Sequence, residues 1–177
     1  MNDRLHVWVA RVFLLGLIAF AFYYPSMFLA QLVPITFSGP QGWQGIYGVD
    51  DTVLVPLWWR LLYFCIWLPS VIATQVFVLA AIWLVILILR GTYFEPATVR
   101  TAQWAGAAAA ISGLGLLAAG SCSSWMLTAY NAEQRAPVKL FIESGEMGVL
   151  FAGLGLFLFG HVLMVTVLMD RENKEII

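Results

Sequence analysis

From Leu57 to Leu89 the chain runs for 33 residues with one charged side chain, Arg60, and no glycine. A soluble surface helix keeps a polar face, and this stretch has none. It is longer than the roughly 20 residues needed to cross about 30 Å of hydrocarbon. Three further apolar runs have the same character: Val7 to about Leu32, interrupted only by Arg11; Ala102 to Trp125; and Gly145 to Met169. None alternates as a barrel strand would, so each is expected to satisfy its backbone internally as a helix. With 62% hydrophobic residues, 11% charged residues and a mean hydropathy of +0.87, the whole chain fits no soluble class. The expected fold is an all-α membrane protein, a single domain of four transmembrane helices arranged as two hairpins. No basic patch suited to nucleic acid is present.

The expected spans are residues 7–32, 70–89 with a helical lead-in at 57–68, 103–127 and 145–169. The first run is too long for a signal peptide, and no small-x-small cleavage site follows it. Pro25, after Tyr23 and Tyr24, predicts a kink in its outer part. From Val33 to Pro56 the glycines and prolines predict a loop. Asp50 and Asp51 within it lack the staggered oxygen ligands and companion glutamate of a calcium site, and read as a solvated acidic turn. A straight helix over 57–89 would reach roughly 50 Å, well beyond the hydrocarbon. Either Pro69 separates a lead-in carrying Trp58, Trp59 and Arg60 from the span, or one long tilted helix is kinked there.

Arg90 to Arg100 reads as a short polar hinge and a helix start. Pro96 suits the first helical position, Glu95 sits at the positive end of the dipole, and Phe94 could pack on Val99 as a hydrophobic staple. With the N-terminus inside, six cationic residues (Arg4, Arg11, Arg90, Arg100, Arg171, Lys174) lie on the inner side and three (Arg60, Arg135, Lys139) on the outer. The excess predicts an inner-membrane protein with both termini in the cytoplasm.

Helix packing is expected to run through small residues. Gly106, Gly113 and Gly120 fall seven apart, flanked by Ala102, Ala109 and Ala110, and make a line where another backbone can approach closely. In the last span Gly145, Gly148, Ala152 and Gly155 recur at three- and four-residue spacing on one face, the expected partner of that line.

Candidates for chemistry are few. His161 lies inside the last span, about 12 Å from its inner end at 1.5 Å per residue and off the glycine face; it is a candidate ligand of haem or a chlorophyll-type pigment, or a histidine bonded to a neighbouring helix. His6 lies at the inner mouth of the first span. Cys65 and Cys122 both fall toward the outer side, where a disulfide is conceivable, but without a Cys-x-x-Cys pair they read as small buried hydrophobes. Ser121, Ser123 and Ser124 have no activating base nearby and read as interhelical hydrogen bonders. Apart from Glu146 at the start of the fourth, the spans hold no acidic residue, and no paired broken helices flank a midplane transport site.

The order Arg90-Gly-x-x-Phe94 before the third helix, Arg100 after that motif, and a fourth helix ending in an acidic stretch and Ile176-Ile177 resembles a bacterial family of small four-helix membrane proteins known only as a domain of unknown function. The chain departs from it in lacking a glycine near the end of the fourth helix. Some relatives are encoded beside a small helix-turn-helix repressor, so the resemblance implies a membrane-bound role in regulation. The expected function is that of a non-enzymatic accessory or regulatory protein without a cofactor. It would act in the lipid bilayer on a membrane protein partner or as a homo-oligomer, through helix faces or the cytoplasmic hinge of Arg90, Gly91, Phe94 and Arg100. The alternatives are a redox or photosynthetic subunit with His161 as haem or pigment ligand, and a small oligomeric channel or transporter.

Overall fold

The computed structural model describes residues 3–37, 56–92, 95–130 and 144–175. Four helices account for nearly all of them: α1 (Asp3–Phe37), α2 (Leu57–Leu89), α3 (Pro96–Tyr130) and α4 (Ser144–Glu175). No strand occurs among the described residues. Each helix contains a segment long and apolar enough to cross a membrane: Val7–Gln31, Leu57–Leu89, Pro96–Met126 and Ser144–Met169. Asp50 and Asp51 lie outside the described residues.

The helices overrun the expected boundaries. α1 continues past residue 32 through Pro34 to Phe37, and α2 is one helix through Pro69 rather than a separate lead-in and span. An interior proline removes one backbone donor, at Pro69 the one that would reach the carbonyl of Cys65. In lipid the flanking turns still gain more from staying helical than from exposing further backbone groups. Hydroxyls around Pro69 add bonds along the helix: Ser70 donates to the Trp67 carbonyl at 2.8 Å and Thr74 to the Ser70 carbonyl at 2.8 Å. α4 likewise continues through the charged residues to Glu175, so charge ends the apolar span but not the helix.

The turn between α2 and α3 is specified in detail. Gly91 adopts φ +80°, the left-handed conformation that closes a helix. Its N–H donates to the Ile88 carbonyl at 3.0 Å and that of Thr92 to the Leu87 carbonyl at 3.3 Å, the paired bonds of a Schellman motif. The Thr92 hydroxyl also reaches Leu87 at 2.8 Å, and the Thr98 hydroxyl donates to the Thr92 carbonyl from α3. α3 starts at Pro96 as its sequence predicts, with the Val99 N–H bonded to the Glu95 carbonyl at 3.2 Å. Phe94, the other half of the expected staple, lies outside the described residues.

Among the described residues each helix packs on its chain neighbours alone: α1 on α2, α2 on α3, and α3 on α4. The four therefore form an open row, with α2 and α3 inside and α1 and α4 at its ends. The packed seams are rich in small and hydroxylated residues, beside larger ones such as Tyr63, Val78, Val99 and Met126. Ala105, Ala109, Ala119, Ser70, Ser112, Ser123 and Thr74 are buried, while Phe13, Phe22, Phe151, Phe159, Leu15 and Leu158 are exposed. Lipid solvates large apolar side chains as well as a core does. Small and hydroxylated residues are favoured between helices because they allow close approach and hydrogen bonding.

Candidate contact surfaces

Among the described glycines, those that bring two backbones closest lie between α3 and α4. A Cβ placed on Gly106 would overlap the backbone of Phe157, and one on Gly113 would lie 2.8 Å from the Leu150 nitrogen. From the other side, a Cβ on Gly153 would overlap the Ala110 nitrogen, and one on Gly160 would come within 2.9 Å of Gln103 Cγ. The pairs 103/160, 106/157, 110/153 and 113/150 fall in strict antiparallel register. Gly120, next in the line on α3, is half-buried, and the same register carries it beyond Ser144, where α4 begins.

On α4 the structure corrects the expected face. Gly148, Ala152 and Gly155 are exposed, and no atom lies within 4 Å of a Cβ built on Gly145, Gly148 or Gly155. The face that meets α3 passes instead through Gly153 and Gly160, about 120° around the helix at 100° per residue. The physical reason is the shape of α3. Ala109 and Ala110 leave a hollow that takes the bare backbone at Gly153, and a seven-residue step from there reaches Gly160. That step was legible in the sequence, because it is the spacing that marks Gly106 and Gly113.

Between α2 and α3 the sequence singled out Ser123 but not its partner. Trp67 Nε1 donates to Ser123 Oγ at 2.8 Å, and Thr74 and Ser112 share a hydroxyl hydrogen bond of 2.6 Å. Gly115 is the corresponding close approach, with a Cβ there 2.9 Å from Ser70 Cβ. Nearer the start of α2, Trp59, Tyr63 and Met126 form an apolar cluster, and Trp59 packs on Trp125 at 6.0 Å between ring centres.

Arg60 is buried between the start of α2 and the end of α1. Only 8% of it is exposed, and its Nη1 donates to the Thr36 carbonyl at 3.0 Å while Nε makes no hydrogen bond. Thr36 belongs to the last turn of α1, which carries no basic residue of its own. Arg60 thus places its cation at the negative end of the α1 dipole and joins the two helices there. The other arginines with described side chains behave differently. Arg11, Arg90 and Arg100 are exposed and lie toward the opposite ends of the helices, where α1 and α3 begin and α2 ends.

His161 is exposed on α4, and among the described residues no group of histidine, cysteine and carboxylate side chains is gathered to hold a metal ion. Cys65 and Cys122 are free thiols on exposed helix surfaces, not the buried hydrophobes expected. A thiol facing hydrocarbon needs no partner, so nothing drives it into a seam. In the hinge Arg90, Gly91 and Arg100 are exposed.

Four long apolar helices, hydrophobic outside and small or hydroxylated within, are the make-up of a multi-pass helical membrane protein. Comparison with known protein families, with curated proteins and with solved structures finds no match for this chain.

Proposed function

We propose that this protein is a non-catalytic accessory or regulatory component of a membrane, acting by contact with another membrane protein. The observation that carries the reading is the second small-residue face of α4. Gly148, Ala152 and Gly155 lie open on a helix whose other glycine face is already engaged by α3. Small residues gain little from lipid and much from a close helix, so such a face suits a partner better than hydrocarbon. The family resemblance of the hinge and tail supports a regulatory role by analogy.

In this reading the row consists of two transmembrane hairpins, α1–α2 and α3–α4, in a bacterial inner membrane with both termini in the cytoplasm. The distribution of cations supports that orientation, since Arg11, Arg90 and Arg100 are exposed at one end while Arg60, at the other, is buried against Thr36. The test is affinity purification of the full chain from native membranes in mild detergent. Gly148→Leu with Ala152→Leu should release the co-purifying polypeptide while leaving thermal unfolding unchanged. Retention of that polypeptide by the double variant overturns the proposal.

A further inference from the structure

We propose that Arg90, held against Trp83 at the end of α2, is a binding point for the phosphate of an acidic phospholipid. This rests on the helices crossing a bilayer and not on the protein-contact reading above. The Arg90 guanidinium carbon lies 5.8 Å from the centre of the Trp83 ring. Trp83 precedes Arg90 by two turns, about 10 Å along the helix toward the bilayer interior at 1.5 Å per residue. An arginine at a helix end ordinarily extends outward to reach water. Here the side chain folds back along α2 toward the hydrocarbon border, within cation–π reach of the indole.

At that depth a guanidinium needs an anion, and the described residues supply none. Among the described residues no carboxylate pairs with Arg90, while the side chain is exposed and Trp83 is 48% exposed beside it. The contrast with Arg60 is informative, because that arginine is buried and takes a backbone carbonyl. What reaches an exposed cation at the border of the hydrocarbon is a headgroup phosphate, and a lipid of net negative charge satisfies it best. The Schellman turn at Gly91 fixes where α2 ends and so keeps Arg90 at one depth.

The experiment measures lipid binding to the full chain in detergent by native mass spectrometry, with phosphatidylglycerol, phosphatidylcholine and inorganic phosphate as separate probes. Phosphatidylglycerol should bind more tightly than phosphatidylcholine. Arg90→Gln should weaken that preference about five-fold, the effect of one cation near a charged surface. Trp83→Leu and Arg90→Lys should each give an intermediate loss, and they carry the test if Arg90→Gln does not fold. Arg11→Gln removes an exposed cation toward the same ends of the helices and should leave the preference intact. Equal binding of the two lipids, an unchanged preference in Arg90→Gln, or in both milder variants, or an equal loss in Arg11→Gln overturns the site. Competition by inorganic phosphate as strong as that by the lipid shows a free-anion site and overturns it as well.

Discussion

α4 carries two lines of small residues that differ in almost nothing a sequence records. Gly148, Ala152 and Gly155 form one, Gly153 and Gly160 the other, and among the described residues only the second is packed against another helix. In water the buried face of a helix is the apolar one, so hydropathy alone would choose between them. In lipid both faces are equally well solvated, and the choice falls to steric fit with a particular neighbour. The pairing of Gly153 with Ala110 and Gly160 with Gln103 wins because both contacts fit a single antiparallel register with Gly106 and Gly113.

The comparison is broken most directly by bulk. Gly153→Leu should lower unfolding stability by about 3 kcal/mol or prevent folding, because the leucine meets backbone rather than a side chain that can move. Gly148→Leu should change stability by less than about 0.5 kcal/mol, since nothing lies within 4 Å of it. Thermal unfolding in one detergent measures both, and equal effects would erase the distinction between the faces. Next in size is Gly91→Ala, where a side chain is placed at φ +80° and should cost about 1 kcal/mol without disturbing either face of α4. A smaller effect sharpens the role of hydroxyls in the α2–α3 seam. Thr74→Val and Ser112→Ala in a double-mutant cycle should couple by about 0.6 kcal/mol, the mean for hydrogen bonds between membrane helices. The smallest change expected is in His161→Ala, exposed on α4, with stability altered by less than about 0.5 kcal/mol. A Soret or chlorin band in the purified protein that vanished in this variant would instead make the exposed side of α4 a cofactor face.

The four helices were legible because length and hydropathy alone identify a segment that must satisfy its own backbone in lipid. Pro96 and Glu95 announced the start of α3, and Gly91 its preceding turn, since those positions demand particular backbone chemistry. Pro34 misled in the opposite direction, and Pro69 left two readings open, of which the single long helix is the one found. Each is a strong breaker in water, but within hydrocarbon a helix with one missing bond outlasts the alternatives. The rotation of α4 was not legible from α4 alone, because it depends on the hollow at Ala109 and Ala110 one helix away. Arg60 was missed for a related reason. Its partner, the Thr36 carbonyl, is a main-chain atom on another helix, and no side-chain pattern reveals it.

The row in which each helix touches only its predecessor and successor has a consequence for biogenesis. Every contact can form between a segment already in the bilayer and the one arriving next, so assembly can keep pace with synthesis from the amino end. Among the described helices none waits for a distant one, and α4 docks onto an α3 already braced by α2.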